Sequence, residues 1–241
     1  MLTSISLKPQ VQTIQQIATA SADEVERSHG TDKIVSPYDL ISLDQTRIIT
    51  SVIKPGGYEL TAWEVSADAI TKKGSKLLLA ANIEGIHSVK LTNTRFANAY
   101  ILNHQLALEV WDTSTDGANF TLKGNATGNR VRIESSSKQY AFIALSPSSV
   151  ISFSIDPEQQ LEVISWRISG NGAITRKDTK IFGKNVDRFI DAIALNSSKF
   201  ILSFYSGGGG NDSNLSVWEV NDEGMLIPVE PLEPGVHQFH Q

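Results

Sequence analysis

Four tryptophans, Trp63, Trp111, Trp166 and Trp218, stand 48, 55 and 52 residues apart. The same frame surrounds each one: Leu60-x-x-Trp63-x-Val65, Leu108-x-x-Trp111-x-Thr113, Val163-x-x-Trp166-x-Ile168 and Leu215-x-x-Trp218-x-Val220. Self-similarity at this period means an array of like supersecondary units, and a unit that repeats must bury its apolar face against its neighbours. One Trp per unit supplies a large apolar area for that purpose, so the four are read as core residues rather than as a sugar-stacking set.

Within one unit the text divides into short β-rich runs. Tyr38 to Leu43 reads as a strand, Asp44-Gln45-Thr46 as a turn, and Arg47 to Ile53 as a second strand. Pro55-Gly56-Gly57 turns the chain into a third strand, Tyr58 to Val65, and Ala69 to Lys73 makes a short fourth. The first strand recurs as Ile86 to Leu91, Tyr140 to Leu145 and Ile190 to Leu195. The hairpins after the Trp strands carry Ser114-Thr115-Asp116-Gly117, Ser169-Gly170-Asn171-Gly172 and Asn221-Asp222-Glu223-Gly224. Gly and Asn at such places admit the positive φ of tight hairpins, and short strands at even spacing predict an antiparallel meander.

The Leu-x-x-Trp-x-Val frame, a turn, and then Ala-Ile-Thr resembles the blade of a β-propeller. The resemblance covers nearly the whole chain. It lacks the His…Trp-Asp pairing of WD40 blades and the glycine doublet of kelch blades. It implies an all-β single domain over residues 1–241, with four-stranded antiparallel blades at about 31–80, 81–133, 134–183 and 184–233.

The two ends complete a fifth blade. Leu2-Thr3-Ser4-Ile5 matches Ile49-Thr50-Ser51-Val52, and Gln16 falls 47 residues before Trp63, where another Trp is due. Residues 1–30 thus supply strands two to four. Gly235-Val236-His237-Gln238-Phe239 matches Gly85-Ile86-His87-Ser88-Val89 and supplies strand one within residues 234–241. The expectation is a five-bladed propeller whose N- and C-terminal strands share one blade, because an open arc leaves faces and edges uncovered. A fragment of a larger propeller, or half of a ring completed by a second copy, is the competing reading.

Composition narrows the function classes. Lys and Arg number 21 against 26 Asp and Glu and are scattered, so the basic stripe of a nucleic-acid binder or of an anionic-membrane binder is missing. No apolar run reaches the 18 or so residues of a membrane span. There is no Cys, which excludes disulfides and thiolate metal sites and leaves the compartment open. Met1 to Ser6 has neither a basic flank nor a long apolar stretch, so no signal peptide is expected. A monomer is expected.

Aligned on the apolar column through Ile41, the first strands share one polar column: Asp39, His87, Ala141, Asp191 and His237. Innermost strands line a propeller's channel, so Asp39, His87, Asp191 and His237 are the candidate ligand-binding residues, and His with carboxylate suits a divalent cation. The plainer account is that each caps a turn or bonds the adjacent blade. No catalytic residue is assigned and no other cofactor is expected. Asp39 and Asp191 resemble the inner-strand carboxylates of five-bladed glycosidases, although Ala141 breaks the set. The expected function is non-enzymatic binding of a small ligand or carbohydrate, lectin-like, at the channel mouth or between blades. A protein-interaction scaffold is the first alternative and a glycosidase the second.

Overall fold

The computed structural model describes residues 37–132, 140–183, 185–206 and 212–229. Among these residues sixteen strands form four sheets, each an antiparallel meander of four. The first holds β1 (Tyr38–Ser42), β2 (Arg47–Lys54), β3 (Gly57–Val65) and β4 (Ile70–Leu79). The second holds β5 (Ile83–Lys90), β6 (Arg95–Leu102), β7 (Gln105–Thr113) and β8 (Phe120–Arg130). The third holds β9 (Tyr140–Ser146), β10 (Ser149–Ile155), β11 (Leu161–Ile168) and β12 (Ile174–Phe182). The fourth holds β13 (Val186–Ala194), β14 (Lys199–Ser206), β15 (Asp212–Val220) and β16 (Leu226–Pro228). The first strands touch in succession, β1 to β5, β5 to β9 and β9 to β13, which is a propeller-like order with these strands innermost. Residues 1–30 and 234–241, to which the shared fifth blade was assigned, lie outside the described residues.

Three cores hold the four sheets together, one at each interface. Tyr58, Leu60 and Ala62 of β3 meet Phe96, Tyr100 and Trp111 between the first and second sheets. Leu106, Leu108 and Val110 of β7 meet Phe142, Ile164 and Trp166 between the second and third. Phe153 and Val163 meet Phe200, Leu202 and Trp218 between the third and fourth. Successive residues of a strand face opposite ways, so each Trp lies on the face turned to the preceding sheet. Trp111 is 0 % exposed, and Trp166 and Trp218 are each 2 % exposed. Trp63 occupies the same place on the first sheet, faces away from the second, and is only partly buried. Every indole N–H has a partner: Thr50 Oγ1 at 2.9 Å, Glu109 Oε2 at 2.9 Å, Ser152 Oγ at 2.8 Å and Ser216 Oγ at 2.9 Å, in order.

The hairpins after the Trp strands lock each sheet to the one before. In each, the glycine N–H donates to the residue three back: Gly117 to Ser114, Gly172 to Ser169 and Gly224 to Asn221, all at 2.9 Å. Their φ values are 75°, 94° and 91°. These glycines also press on the outer strand of the preceding sheet. A Cβ on Gly224 would meet Lys177 Cβ at 2.7 Å, and one on Gly172 would collide with Lys123. Gly74 and Gly124 answer from the other side, where a Cβ would strike the carbonyl oxygens of Ala118 and Gly172.

The largest departure from the sequence reading is a fourth strand. The fourth strand was expected over Ala69 to Lys73, but β4 runs to Leu79, ten residues. A register shift between Ala62 and Trp63 absorbs the extra residue, and pairing then continues through Gly74 to Gly57 with Leu79.

Candidate functional site

The polar column lies on the inner strands, and the pleat decides where its side chains go. On β1, Ile41 and Leu43 pack toward the second sheet, so Asp39 also turns that way. On β5, Val89 and Leu91 pack toward the third sheet, and His87 goes with them. On β9, Ala141 and Leu145 pack toward the fourth sheet. On β13, Ile190, Ala192 and Ala194 pack back on the third sheet, so Asp191 faces away from it. Asp39, His87 and Ala141 therefore each turn toward the next sheet, and Asp191 turns away from the third.

The structure brings Asp39 and His87 together. Asp39 Oδ2 accepts the Ser88 N–H at 2.6 Å and lies 3.8 Å from His87 Nδ1, while Oδ1 accepts the Leu40 N–H at 2.8 Å. The two side chains are 29 % and 25 % exposed, so both reach solvent. Asp191 Oδ1 accepts the Ala192 N–H at 3.1 Å. His237 lies outside the described residues. Among the described residues no three His, Asp or Glu side chains come close enough to hold a metal ion. Asp39 and His87 would be two donors of any such set.

Tyr140 belongs to this group and was not singled out from the sequence. Its ring meets His87 edge-on, with centroids 5.0 Å apart and planes at 82°. Its side chain is buried, and its hydroxyl has no hydrogen-bond partner among the described residues. Burial pushes the phenol well above its usual range, and the charge of Asp39 adds to the shift. Tyr140 precedes Ala141, the apolar gap in the column. On the opposite pleat it turns back to the second sheet and fills the sector that His87 enters.

A second polar group runs from this rim into the interface of the first two sheets. Ser88, Asn98 and Glu109 lie side by side on β5, β6 and β7. Ser88 Oγ donates to Ser51 Oγ at 3.0 Å across the interface. Glu109 accepts from Tyr58, from Tyr100 Oη at 2.9 Å and from Trp111 Nε1 at 2.9 Å. Burial, and then the Glu109 charge, raise both phenols beyond their usual range. Asn98 sits against the Tyr58 phenol and is 0 % exposed, yet neither of its amide atoms reaches a partner among the described residues. A lone polar residue in an apolar strand carries no sequence signal, and only sheet-on-sheet packing gathers these into one seam.

No family model matches the chain. No curated protein matches it either. Among solved structures, it is similar to a crystal structure of a protein from Lactobacillus plantarum, at 10 % identity and a TM-score of 0.48. That match covers 77 % of this chain and 67 % of the other. It is also similar to TolB from Acinetobacter baumannii, at 12 % identity and a TM-score of 0.42, over 80 % of this chain and 44 % of that one.

Proposed function

We propose that this protein is a non-enzymatic binding propeller that takes a small hydroxyl-bearing ligand, such as a carbohydrate, at the inner rim formed by Asp39, His87 and Tyr140. The observation that carries the reading is the Tyr140 hydroxyl. A buried hydroxyl normally has a partner, and leaving one without a partner costs about 1–3 kcal/mol. Here it lies beside a carboxylate and an imidazole that remain partly open to solvent. A ligand hydroxyl can donate to Asp39 while accepting from His87 or Tyr140, which is the polar anchoring that orients a small molecule. The architecture we propose with it has five blades, the fifth shared by residues 1–30 and 234–241. The half-covered Trp63 and the outward row of β13 support it as the two faces such a blade would cover.

Glycan-array and calorimetric binding, compared between wild type, Asp39→Asn and Tyr140→Phe, test the site. Both variants should weaken binding about tenfold, the effect of one lost hydrogen bond of about 1.4 kcal/mol, and Tyr140→Phe should melt no lower than wild type. Binding that survives both substitutions keeps a lectin but removes this site. Hydrolysis of an aryl glycoside that is lost on Asp39→Asn would replace the reading with an enzyme.

A further inference from the structure

We propose that Lys73, Lys123 and Lys177 guard the outer edges of the first three sheets against strand addition from a second copy of this chain, each from the extra residue of a β-bulge. The edges are open to that hazard. Among the described residues, β4, β8 and β12 are the last strands of their sheets and run ten, eleven and nine residues. A long edge strand is a template for another strand, because one row of its N–H and C=O groups has no ladder partner. Apolar side chains stand in the open on all three: Leu79 on β4 is 82 % exposed, Leu122 on β8 43 % and Ile181 on β12 52 %.

The same irregularity interrupts each of these edges at the level of the Trp. In the first sheet Ala62 pairs with Gly74 and Trp63 with Lys72, which leaves Lys73 without a pairing position. In the second, Val110 pairs with Gly124 and Trp111 with Leu122, which leaves out Lys123. In the third, Ser165 pairs with Asp178 and Trp166 with Arg176, which leaves out Lys177. The extra residue bends and twists its strand, and this spoils the flat edge that an incoming strand needs. A bulge does not by itself call for lysine, so lysine at all three has another cause.

Ion pairing is not that cause. Lys73 Nζ lies 3.1 Å from Glu64 and Lys123 Nζ 4.0 Å from Asp112, and among the described residues Lys177 forms no ion pair. Solvent-exposed pairs of this kind contribute little. What the three lysines share is their place. The turn glycine of the next sheet presses on each stem: a Cβ on Gly117, Gly172 or Gly224 would lie 3.4, 2.3 and 2.7 Å from the Cβ of Lys73, Lys123 and Lys177. That contact fixes the stem, while all three residues stay exposed. A strand laid along the edge would strip water from the ammonium, which opposes pairing. The outer strand of the fourth sheet has neither the lysine nor the register shift. There β16 keeps only three residues, Leu226–Pro228, and its proline has no N–H to offer a further strand.

The test uses the full chain carrying Lys73→Met, Lys123→Met and Lys177→Met, which keeps each stem and removes each ammonium. Its control carries Lys72→Met, Arg130→Met and Lys180→Met, which takes one cation from each of the same strands away from these bulges. Sedimentation velocity over a concentration series reads association, and amide hydrogen exchange reads whether the outer strands gain protection. The first variant should associate at a concentration about tenfold lower than wild type, with new protection in β4, β8 and β12, while the control sediments as wild type. A first variant that sediments as wild type overturns the proposal. So does equal association of the control, since net charge alone would then decide. Association without new protection on the outer strands overturns it as well. Should the triple variant not fold, Lys177→Met alone is measured, because that lysine has no described ion pair to lose. It should associate with new protection on β12, and a wild-type result there overturns the proposal equally.

Discussion

Two interfaces occupy equivalent places in this molecule and are built from different material. Between the third and fourth sheets the contact is aromatic: Phe153 meets Phe200 at 5.4 Å, and Phe200 and Phe182 lie 6.3 and 5.1 Å from the Trp218 ring. Its side-chain hydrogen bonds to the neighbouring sheet sit at the hairpin end, Ser165 to the Gly224 carbonyl and the Leu226 N–H to Asp178. Between the first and second sheets, Ser88, Asn98 and Glu109 form a polar row that runs inward to Asp39 and His87. Both interfaces seat their Trp with a satisfied N–H and dock through the same glycine hairpin. The shared frame therefore sets the geometry of stacking. What fills the remaining space is free to differ, and polar filling, which is costly unless bonded, runs through the interface of the first two sheets.

The largest effect that can break this comparison is loss of the aromatic contact. Trp218→Ala should cost about 3–5 kcal/mol, the range for truncating a buried Trp. At about 2–4 °C per kcal/mol for a domain of this size, the melting temperature should fall by roughly 6–20 °C. Binding at the proposed site should hold, because Trp218 packs between the third and fourth sheets and touches neither Asp39 nor His87 in its core. Trp63→Ala should cost less than half as much, since that ring is only partly buried. Equal losses in the two melts would mean that the shared frame does not set the stability of each interface.

Next in size is Glu109→Ala. It removes the acceptor of two phenols and an indole at once. Leaving such groups buried without a partner should cost about 2–3 kcal/mol, read by urea unfolding. Glu109→Gln, which keeps an acceptor oxygen, should lose about half of that. A neutral outcome for Glu109→Ala would show that the seam is already wet, and would make the two interfaces energetically alike.

The frame was legible in the sequence and the seam was not, for a physical reason. Trp63, Trp111, Trp166 and Trp218 mark the third strand of each sheet because one large residue per repeat is what stacking needs, and a turn glycine such as Gly172 is demanded by its own backbone angle. Both constraints recur in every unit, so they print in the text. Asp39 beside His87 was also legible, because the two occupy one column on neighbouring inner strands. Tyr140 was hidden because the column passes through Ala141, and the pleat supplies the missing aromatic from the residue before it. Asn98 and Glu109 were hidden because their meaning depends on Tyr58, a residue of another sheet. The length of β4 escaped because a bulge has no composition of its own.

The interface between the second and third sheets offers the smallest and most discriminating effect. Glu162 of β11 is 1 % exposed and is held by the Asn129 amide, with Ser154 Oγ more distant at 3.4 Å. Glu109 has three donors, two phenols and an indole, whereas Glu162 has these weaker ones, and burial raises its carboxyl above the ordinary range. A carboxyl raised in the folded state holds its proton longer there than in the unfolded chain. Its ionisation therefore works against folding: stability falls as pH rises from the unfolded value through the raised one, then stays lower. Glu162→Gln keeps the acceptor and removes the charge. It should raise the melting temperature at pH 7 by about 2–4 °C, the shift that one kcal/mol produces in a domain this size. The gain should shrink toward zero below the usual glutamate range, where the wild-type carboxyl is protonated in both states. The same substitution at Glu109 lowers stability at pH 7. Melts of the two glutamine variants across pH thus carry opposite signs if donor number decides whether a buried carboxylate belongs in this fold, and like signs would discard that rule.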